Sequence, residues 1–238
     1  MKLGIIGAMD SEVAALIAAM DNAEVATVAG NRFYDGTIAG RPVVVVQCGI
    51  GKVCAALCAQ VLVDRFQVDG IVNTGVAGGL AAGMAVGDLV VATNAVQHDF
   101  DLSPVGRAKG YVPAFGGEGA SYFPADEDLS AAFRRAAQAV KAESGEAFTC
   151  HSGTVASGDV FVADSGLKSW LVAEFHAVAA EMEGAAVAQA AYLNGVPFAI
   201  VRAISDLADG SASVSFDTFE REAADRSARI LLAMLKEG

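Results

Sequence analysis

The sequence predicts an α/β fold, a central mixed, mainly parallel β-sheet flanked by helices in three layers. Three observations point there. Short β-rich runs alternate with helical periodicity along the chain, and several of those runs are apolar without a break, as in strands buried on both faces. The composition, 54% hydrophobic and 18% charged with 26 glycines, suits a close-packed sheet-and-helix protein rather than a disordered or fibrous one. At 238 residues, with no internal repeat or low-complexity stretch, the chain can bury a sizeable core, and a single domain over 1–238 is expected.

Residues 2–7 read as the first strand. Residues 11–20 form a helix, because Val13, Leu16, Ile17 and Met20 recur at the spacing of one helical face. Glu12 then lies at a strand-to-helix junction. Residues 32–38 and 42–48 are paired strands around Ala39-Gly40, and Gly49-Ile50-Gly51 is the hinge to a helix over 53–66. Residues 70–74 and 88–92 are buried strands, and Gly75-Val76-Ala77-Gly78-Gly79 reads as a tight turn. From 98 to 124 the chain is rich in Gly and Pro without a clear period, which predicts long functional loops. Helices follow at 126–143, 164–173 and 183–194, the last stopped by Gly195 and Pro197, with strands at 149–156 and 198–204. A long amphipathic helix over 216–235 closes the chain.

A net charge of −12 with no Lys/Arg run argues against nucleic acid or an anionic membrane as partner, since both require a positive footprint. The apolar start ends at Asp10 and Glu12, far short of the roughly 20 residues that span a bilayer, so a cytoplasmic protein with a small-molecule ligand is expected. Cys48, Cys54, Cys58 and Cys150 contain no CxxC pair and read as reduced packing residues. Two motif-like strings dissolve on inspection. The glycines of Gly4-Ile-Ile-Gly7 lack dinucleotide spacing. Gly51-Lys52 lacks both the Ser/Thr that holds magnesium in a phosphate loop and a glycine at position 46, and so reads as a turn into a helix. His98-Asp99-Phe100-Asp101 carries ligand-type side chains, but His151 and His176 stand at no metal spacing from it, so it reads as polar residues at a loop start and no metal is expected.

Three acidic positions differ from solvated carboxylates: Glu12 after the first strand, Glu183 beside Glu181 and Met182 before an Ala-rich helix, and Asp206 after an apolar strand. Each alone also fits a structural role, as a first-turn helix carboxylate, a helix-start residue and a cap respectively. Their joint placement at the ends of core strands is where α/β folds put their sites.

Seven strings then occur in order and register: Gly4-Ile-Ile-Gly-Ala-Met-Asp-Ser-Glu-Val13, Gly49-Ile-Gly-Lys-Val53, Asn73-Thr-Gly-Val-Ala-Gly-Gly79, Val86-Gly-Asp-Leu-Val90, Ser157-Gly-Asp-Val-Phe161, Glu181-Met-Glu183 and Val201-Arg-Ala-Ile-Ser-Asp206. In these the chain resembles, nearly end to end, the methylthioadenosine/S-adenosylhomocysteine nucleosidases, which share a nucleoside phosphorylase-like fold. The resemblance implies a cofactor-free hydrolase of adenine nucleosides, a homodimer serving methionine salvage. It makes Glu12 the base that activates water and Asp206 the acid that protonates the departing adenine. Met182 and Glu183 would hold the ribose, Phe161 would stack on the purine, the backbone of Val162 would read its edge, and Ser205 would orient Asp206. Met9, Ile50, Ala77 and Gly78 would complete the wall.

The chemistry suits these groups. An N-glycosidic bond breaks through an oxocarbenium-like state, and glycosidases meet the analogous problem with two carboxyl groups. An ordinary aspartate is protonated only about one time in a thousand at neutral pH, so Asp206 needs burial to work as an acid, whereas Glu183 is more useful ionised, near the cationic sugar. Two departures from the family stand out. Val76 replaces a frequent Ser, and Val105 lies in an unusual 102–119 region where an aromatic is frequent. Three rivals stay open: a phosphorylase of the same superfamily, against which Glu12 argues by repelling phosphate; a nucleosidase for another 5′-modified nucleoside; and a non-catalytic nucleoside sensor.

Overall fold

The computed structural model describes residues 1–114 and 118–237. β1 (Leu3–Gly7) leads into α1 (Asp10–Ala18), followed by the antiparallel meander β2 (Asp21–Val28), β3 (Asn31–Ile38) and β4 (Arg41–Gln47). Then come α2 (Lys52–Phe66), β5 (Gly70–Gly79), β6 (Leu89–Gln97), β7 (Phe123–Pro124), α3 (Glu127–Ser144) and β8 (Cys150–Ser157). The chain finishes with α4 (Ser165–Phe175), β9 (Ala177–Glu181), α5 (Gly184–Asn194), β10 (Phe198–Asp206) and α6 (Ala212–Glu237).

The strands form one mixed sheet in the order β10-β6-β8-β9-β5-β1-β4-β3-β2, and an additional parallel pairing of β10 with β5 closes the first five into a ring. Strand direction reverses inside that ring, since β5 runs parallel to β1 and β10 but antiparallel to β9. The carboxyl ends of β1, β5 and β10 therefore meet those of β8 and β9, which arrive from the other side.

Unbroken apolar strands explain the layers, because successive side chains point to opposite faces. In β4, Val43 and Val45 pack with Val13, Leu16, Phe133 and Leu231 under α1, α3 and α6, while Val44 and Val46 pack with Cys58, Leu62 and Ala188 under α2 and α5. Leu171 and Phe175 of α4 cover a smaller cluster with Leu80, Val96 and Ala177.

Three expectations need correction. The glycine string at 75–79 is not a turn but the second half of β5. Its glycines serve close approach: a Cβ on Gly75, whose φ is +153°, would lie 2.3 Å from Glu12 Oε1, and one on Gly78 would lie 3.0 Å from Asp206 Oδ1. Asp206 is the last residue of β10 rather than a residue beyond it. The last helix starts at Ala212, four residues before the expected boundary; its first turn is rich in Ser, which weakens the helical signal, but Asp209 accepts the Ser211 N–H at 2.9 Å and Ala212 is fully buried. Within the 98–124 region a 3₁₀ turn spans Ser103–Val105 and leaves Val105 exposed; residues 115–117 of the unusual 102–119 stretch lie outside the described residues.

Candidate active site

All eleven candidate residues line one cavity at the strand-reversal point, partly open to solvent: Met9, Glu12, Ile50, Ala77, Gly78, Phe161, Val162, Met182, Glu183, Ser205 and Asp206. Its walls are otherwise mostly apolar, through Ala8, Val76, Val160, Ala180 and Phe216. The acidic groups on the lining are Glu12, Glu181, Glu183 and Asp206, and among the described residues no Lys, Arg or His lines it.

Glu12 combines its two possible roles. At the third position of α1 its Oε2 accepts the Met9 N–H at 3.0 Å, half of a capping box, and the Ala8 N–H at 2.6 Å. Its other oxygen accepts the Val76 N–H of β5 at 3.0 Å. The carboxyl thus bridges two strand ends. Burial lifts its pKa above the ordinary glutamate value, against the opposing pull of Arg202 and of the three N–H donors. Val76 contributes only methyl groups to the cavity beyond this N–H.

Asp206 accepts the Ala208 N–H at 2.8 Å on Oδ1, closing a local turn, and the Ser205 hydroxyl at 2.9 Å on Oδ2. Both bonds favour the ionised form. Burial outweighs them and raises its pKa. Lys168 of α4 anchors the adjoining backbone by donating to the carbonyls of Gly79 and Leu207 at 3.1 and 2.6 Å.

Glu183 precedes α5 without capping it. Glu181 does the capping, accepting the N–H groups of Glu183 and Gly184 at 3.1 and 2.7 Å, which leaves Glu183 to accept the Gly51 N–H at 2.8 Å from across the cavity. Burial first, and then the like charge of Glu181, push its pKa up to about 7, with Arg202 and the Gly51 N–H pulling the other way. Burial thus works against the ionised form expected of Glu183, and Arg202 and the Gly51 N–H work for it.

One residue that sequence reasoning missed is Arg202, fully buried in β10. Its guanidinium donates to Glu181, Asn73 and, at 3.1 Å, the Thr74 carbonyl, and stands 3.8 Å from Glu183. Burial works against its charge, but Glu181, Glu183 and Glu12 outweigh that and raise its pKa. The signal was present: a lone arginine in a strand buried on both faces requires a carboxylate partner. Ser157 at the end of β8, donating to Glu181 and accepting the Ala185 N–H at 2.7 Å, completes this hydrogen-bonded scaffold. Phe216 of α6 was also missed; its ring meets Phe161 edge-on at 5.5 Å between centroids.

Residues 2–236 match the profile of the Phosphorylase superfamily, the class that this fold and cavity define. A 5′-methylthioadenosine/S-adenosylhomocysteine nucleosidase of Shewanella sp. (strain W3-18-1) is 38% identical over 238 residues, covering 100% of this chain and 99% of the relative. The chain belongs to the 5′-methylthioadenosine/S-adenosylhomocysteine nucleosidase family. Among solved structures, that of the Neisseria meningitidis nucleosidase in complex with methylthio-immucillin-A superposes with a TM-score of 0.92 at 36% identity, covering 100% of this chain and 99% of the other. The Colwellia psychrerythraea 34H enzyme in complex with adenine gives 0.92 at 39% identity, covering 99% and 94%.

Proposed function

We propose that the chain hydrolyses the N-glycosidic bond of 5′-methylthioadenosine and S-adenosylhomocysteine, releasing adenine and the free thio-ribose sugar. The observation that carries this reading is the acidic lining of the cavity, which among the described residues includes no Lys, Arg or His. Such a wall favours a sugar that turns cationic in the transition state and disfavours phosphate, which needs N–H or cationic donors. Glu12 takes a proton from the attacking water. Asp206, whose burial favours the protonated form, gives its proton to the departing adenine. Glu183 accepts from the ribose hydroxyls, and the growing positive charge on the sugar draws it toward its ionised form. Met182 packs on the ribose, Phe161 on the purine, Val162 reads the purine edge through its backbone, and Met9, Ile50, Ala77, Gly78 and Ser205 shape the remainder. The relatives' names and the inhibitor and adenine complexes of the neighbours support the substrate class.

We read the protein further as one domain over 1–238, a cytoplasmic homodimer of methionine salvage. Val53 and Leu57 of α2 and Tyr192 and Leu193 of α5 are exposed on one pair of packed helices, which supports self-association. Among the described residues no helix is long and apolar enough to cross a membrane. Reaction needs no metal in this scheme, and among the described residues no group of three or more His, Cys, Asp or Glu side chains could hold one. The test is to incubate chelator-treated protein with a panel of nucleosides, with and without phosphate, and identify the sugar product. Free sugar under both conditions is expected; a phosphorylated sugar, or activity that returns only with phosphate or metal, overturns the mechanism.

A further inference from the structure

Two strings set aside in the sequence, Gly51-Lys52 and His98-Asp99, come together beside the cavity. The loop before α2 carries Ile50 and the Gly51 N–H that reaches Glu183; the loop after β8, 158–162, carries Phe161 and Val162. These two walls belong to distant parts of the chain. One set of polar contacts ties them together. The Asp159 carboxylate accepts the Lys52 N–H at 2.8 Å, at the start of α2. Asp99 in turn accepts the Asp159 N–H at 2.9 Å on one oxygen and the Lys52 ammonium on the other. Lys52 also donates to Gln97 Oε1 at 3.2 Å.

The surroundings are built for this closeness. Gly51 has a φ of +100°, and a Cβ there would lie 3.0 Å from Asp159 Oδ1; a Cβ on Gly158 would lie 2.3 Å from Nε2 of the buried His98 ring. His98 is thus a plate under the 158–162 loop, and burial keeps its pKa low. Burial opposes the charge on Asp99, yet Lys52 and the Asp159 N–H hold its carboxyl below the ordinary aspartate range.

We propose that Asp99, Lys52 and Asp159 form a clasp that fixes the purine-side loop against the ribose-side loop, acting as positioning residues for nucleoside binding. The inference deepens the proposed function, resting on the assignment of 158–162 to the purine and of Gly51 with Glu183 to the ribose. A clasp of this kind acts on binding more than on bond cleavage, because Glu12 and Asp206 are held by separate contacts with Ala8, Met9, Val76, Ser205 and Ala208.

The experiment compares wild type with Asp99→Asn in two measurements. In ligand-free protein, amide hydrogen exchange should speed up together at 50–52 and 158–162. On methylthioadenosine, KM should rise about tenfold, the size of one lost hydrogen bond to a charged group, with kcat changed less than about threefold. Lys52→Arg should keep, and Lys52→Met lose, the coupled protection, and this pair decides the matter if Asp99→Asn does not fold. Exchange that accelerates in only one loop or in neither, or a KM equal to that of wild type, overturns the clasp. If wild type leaves methylthioadenosine intact, the proposed function fails while the exchange measurement still decides whether the loops are clasped.

Discussion

Replacing Asp206 by Asn removes a proton donor while keeping the side chain's shape, and the structure sets the expected size of the loss. The amide oxygen can still accept the Ala208 N–H now bound at 2.8 Å, so the turn after β10 survives. What disappears is the proton. An aspartate at its ordinary pKa of about 3.9 is protonated about once in a thousand molecules at pH 7, and each unit of upward shift multiplies that fraction tenfold at about 1.4 kcal/mol. Burial to 2% exposure pushes Asp206 in that direction, against two hydrogen bonds that favour its ion. Loss of a positioned general acid costs about two to four orders of magnitude in turnover, or about 2.7–5.5 kcal/mol of barrier. KM should change much less. Because the pKa is raised, the acid form of Asp206 persists to higher pH and the wild-type rate falls as pH rises through the folded-state value, a limb that Asp206→Asn should lack, while the low-pH limb, where Glu12 takes up a proton, should remain in both. The assay measures kcat and KM across pH on methylthioadenosine and on an analogue with nitrophenolate as leaving group, after circular dichroism shows both proteins folded. The defect should shrink on the analogue, which needs no proton. An equal loss on both substrates refutes the acid role and leaves Asp206 as a structural carboxylate.

Glu12→Gln should lose at least about a hundredfold in kcat while still binding nucleoside; near-normal turnover would return Glu12 to its helix-capping role alone. Glu183→Gln is informative without substrate. A glutamate raised to about 7 contributes stability that is full below its ordinary value near 4.5 and is lost as pH rises through about 7, so the Tm of the variant relative to wild type should climb across that window; a pH-independent difference would contradict the raised value. Arg202→Met strips the buried Glu181 carboxylate of its cation and should destabilise by about 3–5 kcal/mol, read as a lower urea midpoint. An unchanged midpoint would mean that the Arg202 scaffold contributes little.

Much of this was legible in the sequence because it lay in strong local signals. Unbroken apolar runs marked β4 and β10, and helical periodicity marked α1 and α2, so the carboxyl groups at their ends could be placed. The failures have physical causes. β2 is an exposed strand with little apolar alternation, and β9 is a five-residue segment rich in alanine, a good helix former; neither has a pattern of its own, and both exist because a neighbour pairs with them. The glycines of 75–79 looked like turn punctuation because a sequence does not distinguish a glycine needed for chain reversal from one needed for a carboxylate's close approach. Glu181 and Glu183, two residues apart, look equivalent on paper. The resemblance singled out Glu183; the fold adds that Glu181 caps α5 and grips Arg202 while Glu183 accepts the Gly51 N–H.

The closure of five strands into a ring also decides where the molecule can change. A ring has no border, so each strand end at the cavity is flanked on both sides, and the catalytic centre offers no place to add, slip or splice a strand. Apart from the two-residue β7 beside β6, the sheet's margin among the described residues is β2, far along the path, where Asp21 and Glu24 face solvent and the Ala29-Gly30 bend carries no neighbour within 4 Å of a Cβ on Gly30. Charges on that margin discourage another chain from docking its own strand there. A strand added to this sheet along β2 would therefore join at the meander's outer hairpin, away from the cavity.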